Sequence, residues 1–265
     1  MHDRLNILLA NIQYTFRQET AHWANNWGNI FSTIFYTVSQ ILFIEVLFSN
    51  VKDIAGYSRD QLLLFMFIGQ VGFYVSWVIH GNLDELIVAV NKGSLDALLI
   101  RPVPALFYIT FKKVKIFSML RDCIPSMVIL GLVINWSSLN LNLANFAAGL
   151  AIALMGIVCT HVMHLLATLP VFWLGESSSI LELSENIEYN IGKVIPLEGF
   201  GKNFKIIFST IIPVLISAGI STSVALGKSN ALTFLGAVFL VTVLALFVRQ
   251  YAWNKAIMVY TSASS

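Results

Sequence analysis

His161 and His164 stand three residues apart within an apolar run, with Cys159 close by. On a helix an i, i+3 pair can turn two ring nitrogens toward one metal ion. No acidic residue near them in sequence completes such a site, so a buried, hydrogen-bonded or pathway-lining pair is the plainer reading and no metal is assigned to the chain. Four carboxylates, Glu176, Glu182, Glu185 and Glu188, follow within a short stretch. Inside a membrane they would mark an ion or substrate path, with Glu176 and Glu182 as candidate lining; on a loop they would be solvated charges. Gly227-Lys228-Ser229 imitates the end of a phosphate-binding loop, but that pattern needs a glycine where Thr222 stands. The chain therefore offers no ATP or magnesium site of its own, and no nucleophile, base and orienting group assemble into a catalytic set. It reads as a non-enzyme.

A different kind of chemistry, docking, is suggested by the stretch after His80, which ends in "NKGSLDALLIRPVPALF". Leu83, Leu86, Ile87 and Val90 recur at helical spacing while Asp84, Glu85 and Asn91 face away. Lys92 and Gly93 break the pattern. Leu95, Leu98 and Leu99 resume it around Asp96 until Arg101-Pro102 stops it, because the residue before a proline leaves the α region. Two short amphipathic segments result, spanning about residues 80–105. They suit either a surface connector or a docking element for a soluble partner, and local physics does not choose.

The elements that must position these groups are apolar helices. The sequence is 57% hydrophobic and only 11% charged, with a mean hydropathy of +0.77, against roughly 25% charged in a soluble domain. The fold class is all-α integral membrane protein. Clear spans fall at Trp27–Phe48, Leu62–Ile79, Ile116–Trp136, Leu143–Leu165 and Ala231–Val248. A sixth lies between the last two, and two readings compete for it. Hydropathy favours the apolar stretch near 205–226 as the crossing segment, leaving Glu176 to Lys205 as a loop. Alternatively the polar stretch near 170–192 crosses on the stripe Ile180, Leu183, Ile187 and Ile191, and the apolar one, broken by Pro213 and Gly219, dips in and returns. Both readings give six spans and put the termini on one side.

The lysine and arginine excess, including Lys112, Lys113 and Lys115, makes that side the cytoplasm. Residues 1–26 read as an amphipathic helix in the inner interface, with Leu5, Leu8, Leu9, Ile12 and Phe16 on one stripe. No cleavable signal peptide is expected. A net charge of +2 does not suggest a nucleic-acid partner. Ser32, Tyr36 and Gln40 share a face of the first span, as path lining or as helix–helix glue.

The segment "NKGSLDALLIRPVPALF" closely resembles the Gly-x-Leu-Asp-x-Leu-Leu-x-Arg-Pro signature between the second and third spans of ABC-2 type permeases. Phe172-Trp173, Pro196-Leu197, Ile212-Pro213 and Leu226-Gly227 resemble the C-terminal half of the branch known as ABC-2 family transporter proteins. A second proline common after Pro213 is replaced here by the serine-rich "STS". The resemblance implies six spans, an N-terminal interfacial helix, a cytoplasmic coupling helix and re-entrant helices at about 193–230. It implies a permease dimer, of identical or related chains, on two separately encoded ATP-binding subunits that hold the ATP and magnesium. Asp84, Glu85, Lys92, Gly93, Leu95, Asp96, Leu99, Arg101 and Pro102 would couple to those subunits. The complex would export an amphipathic, lipid-linked, drug-like or peptide substrate across a bacterial or archaeal plasma membrane. The competing class is an ion-coupled carrier using the carboxylates of residues 176–188, for which inverted repeats would speak.

Overall fold

The computed structural model describes residues 2–21, 23–101, 103–192 and 195–260. Helices account for the regular structure of those residues; the extended pairing among them is one bridge between Ile54 and Tyr57. In chain order come α1 (His2–Thr20), α2 (Trp23–Phe48) and α3 (Arg59–His80). The short helices α4 (Asp84–Asn91), α5 (Asp96–Leu99) and α6 (Ala105–Phe111) lead to α7 (Ile116–Val133) and α8 (Leu143–Thr168). Then follow α9 (Val171–Leu174), α10 (Ser178–Ile187), α11 (Lys202–Thr210), α12 (Ser221–Ala225) and α13 (Ala231–Val259). Among the described residues five helical stretches are long and apolar enough to cross a bilayer: Ala24–Phe48, Arg59–Asn91, Ile116–Val133, Leu143–Leu174 and Ala231–Val259. These are the five clear spans of the sequence.

α8 is the central post. It packs on α3, α10, α12 and α13, while α7 packs on α2 and α3. Its role follows from small residues on its inward face: a Cβ on Gly156 would stand 2.6 Å from the backbone nitrogen of Ser217, and one on Gly149 would stand 2.6 Å from the Ser221 carbonyl oxygen. Without hydrophobic drive between lipid-bathed helices, such close backbone approach is what gives the packing its energy. α13 shows the opposite surface, apolar all round and largely unburied, with Leu232 82% and Phe247 73% exposed. That is the profile of a helix facing lipid.

The bundle has two distinguishable ends. One carries Lys112, Lys113 and Lys115, and its core joins Leu83, Leu86 and Leu95 to Leu165, Phe172, Leu181, Trp253 and Ala256. The far end is built on Tyr57, Leu63, Phe65, Leu130 and Ile134. α10 starts at the lysine-rich end, where Glu176 accepts the backbone N–H groups of Ser177 and Ser178 at 2.8 and 2.6 Å, favourable for an acid at a helix N-terminus. It continues as a π-helical turn, Glu188–Gly192. Glu198 and Gly199 then meet far-end groups, the Ser223 hydroxyl at 2.5 Å and Ala55. The described residues of the polar stretch therefore touch both ends of the bundle. α11 turns back, its carbonyl at Phe208 accepting from the Leu215 N–H at 3.0 Å. The chain returns through Ile216–Ile220 and α12 to Gly227, which takes φ +69° beside Asn145 at the start of α8.

Candidate functional site

The two amphipathic segments expected after His80 form α4 and α5, joined through Gly93 at φ +67°. Their apolar faces are sunk in the lysine-rich core: Leu83, Leu86 and Leu95 are almost wholly buried, as is Ile87. This packing fixes α4 and α5 to the ends of α8, α9 and α13. Asp84, Lys92, Leu99 and Arg101 face outward. So do Val88 and Ile100, the latter 84% exposed, and neither is marked by the charge pattern. Between α4 and α6 lies an open cavity of about 480 Å³ whose lining includes Asp84, Glu85, Ser94, Arg101 and Tyr108.

Three polar contacts shape this surface. Glu85 bonds Lys112 Nζ at 2.7 Å and also Lys113. Burial alone would raise the Glu85 carboxyl; the two ammonium groups outweigh it and hold the group below its ordinary value. The Arg101 guanidinium lies over the Tyr108 ring, 4.3 Å from its centre. Asp96 turns inward to the phenol of Tyr260 beyond α13; burial and the Asp96 carboxylate push that phenol above its usual range. Pro102 lies outside the described residues.

The path candidates separate. On α2, Gln40 donates to the Tyr36 hydroxyl at 2.7 Å, and the Tyr36 ring approaches Tyr189 of the π turn, which also meets Phe73. Ser32 is on the exposed side of α2, and Glu176 and Glu182 are exposed as well. The polar contact between α2, α3 and α7 is carried by residues the spacing did not mark: Thr37 bonds Ser126 at 3.0 Å and accepts from Gln70 at 3.3 Å.

The histidine pair also separates. His161 Nε2 lies 3.4 Å from the Thr110 hydroxyl. His164 instead meets His80 and Glu188, with all three buried. His80 belongs to another helix, and nothing in the spacing of 80, 164 and 188 joins them. Gly227-Lys228-Ser229 is a helix terminus: Lys228 donates to the Gly56 carbonyl at 2.6 Å, and Ser229 meets Ser223 at 2.8 Å.

The described elements define an all-helical, multi-pass membrane protein with a lysine-rich end and a built surface upon it. The chain matches the profile of the ABC-2 family transporter proteins over residues 34–264, and it belongs to that family. Such proteins are membrane transport subunits that lack an ATP-binding domain and work with ABC ATP-binding subunits. No curated protein and no solved structure matches the chain.

Proposed function

We propose that the chain is the permease subunit of an ATP-binding cassette exporter that moves an amphipathic, lipid-linked, drug-like or peptide substrate out of the cytoplasm. ATP and magnesium are held by two copies of a separate subunit, and a second permease, identical or related, completes the path. The observation that carries this reading is the anchoring of α4 and α5. Their apolar faces are fused to the ends of α8 and α13 while Asp84, Val88, Ile100 and Arg101 stay outward. A partner that moves α4 and α5 must move the long helices with them, which is what conversion of nucleotide closure into altered access requires.

In this reading both termini are cytoplasmic, α1 lies along the inner interface, and the lysine-rich end faces the cytoplasm as the distribution of cations demands. α10 with its π turn is the sixth crossing segment, supported by its passage from Leu181 to Glu198 between the two ends. α11 and α12 form a re-entrant hairpin whose broken backbone is covered by α8. The path runs beside Tyr36, Gln40 and Tyr189. The test is the doubly substituted Ile100→Asp, Arg101→Glu chain, purified in mild detergent with its accompanying subunits. Loss of the ATP-binding subunit and of transport-linked ATP hydrolysis, with an unchanged gel-filtration profile, is expected; retention of both defeats the docking assignment.

A further inference from the structure

We propose that His80, His164 and Glu188 form a binding site for a divalent transition-metal ion of the zinc class, clamping α3, α8 and the π turn together. This inference stands independently of the transport reading. The three side chains come from three separate elements near the lysine-rich end. His164 Nε2 lies 2.8 Å and His80 Nε2 3.8 Å from the same oxygen, Glu188 Oε2, and the three candidate donor atoms all fall within 4.8 Å of one another. Two donors held at zinc bond lengths around one tetrahedral ion stand about 3.3–3.6 Å apart, so each His–Glu188 pair needs a shift of well under an ångström, while the two imidazoles, within 4.8 Å of each other, close by up to about an ångström as the ion enters.

The hydrogen bonds around the cluster show what it lacks. Each imidazole is held through its outer nitrogen: His80 Nδ1 lies 3.0 Å from the Ser76 hydroxyl and His164 Nδ1 2.7 Å from the Ser184 hydroxyl. Ser184 donates its one O–H to the Leu181 carbonyl at 2.7 Å, so towards His164 it can only accept, and the proton is on Nδ1. Nε2 of a neutral His164 then aims a lone pair at a carboxylate, two acceptors face to face. His80 Nε2 is buried and has no hydrogen-bond partner, so its solvation in water is lost with nothing in exchange. A single proton between His164 and Glu188 leaves the His80 nitrogen bare. One divalent ion takes a lone pair from all three.

Two imidazoles and a carboxylate select zinc-class ions over magnesium or calcium, which want more oxygen ligands. The serines have the place of the outer partners that orient metal-bound histidines and set their tautomer.

The test uses the full chain in mild detergent with its accompanying subunits, stripped by chelator, exposed to Zn²⁺, desalted and assayed for metal by mass spectrometry. About one zinc per chain is expected, as a three-ligand site holds a single ion. Glu188→Gln and His80→Ala should lose it, and His161→Ala should keep it. Ser184→Ala, which leaves all three ligands in place, should weaken zinc binding by about 10–100-fold. Co²⁺ in place of zinc should give the intense visible bands of a tetrahedral site in the wild type and not in Glu188→Gln. Wild-type chain that takes up no zinc, the mark of a proton-only cluster, overturns the proposal. So does stoichiometric zinc that survives Glu188→Gln and His80→Ala, or that Ser184→Ala does not weaken.

Discussion

The Arg101 guanidinium lies over the Tyr108 ring, 4.3 Å from its centre, across the turn that joins α5 to α6. A guanidinium can lie flat on an aromatic face, which a lysine ammonium cannot reproduce. Arg101 is exposed, and an exposed cation–π contact is worth only about 0.5–1 kcal/mol. Its value is in aiming the head group over the cavity beside α4. Arg101→Lys and Tyr108→Leu are therefore expected to leave the melting temperature in detergent nearly unchanged. Both should reduce retention of the ATP-binding subunit during purification, which pull-down yield measures. A melting temperature that falls sharply would make the contact a fold element instead.

Glu85 gives a prediction in pH. Its carboxyl is held below an ordinary value of 4.5 by Lys112 and Lys113, so the folded state binds a proton less readily than the unfolded one. The sign follows: the contribution to stability is fully present above about 4.5 and fades as pH falls through the depressed folded value. All three groups are about a third exposed, so solvent screening keeps the effect below roughly 1 kcal/mol. Melting curves of wild type and Glu85→Gln should differ at neutral pH and converge as the pH falls below the depressed folded value. High salt should narrow the neutral-pH gap.

Close approach along α8 gives a stability prediction. A methyl on Gly156 meets backbone atoms of Ser217 at 2.6 and 2.7 Å, and backbone cannot swing aside as a side chain can. Gly156→Ala is expected to cost about 1–3 kcal/mol, the range for overpacking, and to lower the melting temperature. Gly236→Ala in α13 is the control, since nothing lies within 4 Å of the added carbon. It should be neutral, or stabilising by up to about 1 kcal/mol through helix propensity.

The five long helices were legible because uninterrupted apolar length is a local property that needs no partner to be read. α4 and α5 were legible for the related reason that Leu83, Leu86, Ile87 and Leu95 keep helical spacing even in short pieces. The place of Asp96 on α5 was legible but not its direction: it turns to Tyr260, a residue far away in sequence. The His80–His164–Glu188 cluster was hidden for the same reason. His161 competed for His164 by spacing, yet one side of α8 sends His161 to Thr110, and only tertiary packing brings up the other two. The region 170–230 was ambiguous because hydropathy ranks a segment by its own composition. Protein covers Leu181, Ser184 and Glu188 of the polar stretch, which no window of sequence can report.

That region carries the last prediction, which decides between the two sequence readings. If α10 and the π turn cross the bilayer, Lys202 and Lys228 lie on the outer side, together with the turn around Tyr57. Lys228 reaches that turn by donating to the Gly56 carbonyl, and Glu198 reaches the same end through Ser223. If the polar stretch is instead a cytoplasmic loop, Lys202 stays on the side of Lys92. The native cysteines, Cys123 and Cys159, are buried and leave a quiet background, since a buried thiol reacts slowly. Single Lys92→Cys, Lys202→Cys and Lys228→Cys chains in intact cells can therefore be probed with a membrane-impermeant maleimide. The expected pattern is prompt labelling of Lys202→Cys and Lys228→Cys, with Lys92→Cys labelled only after the membrane is opened. Protection of Lys202→Cys alongside Lys92→Cys would return the crossing role to the apolar stretch and remove the re-entrant hairpin.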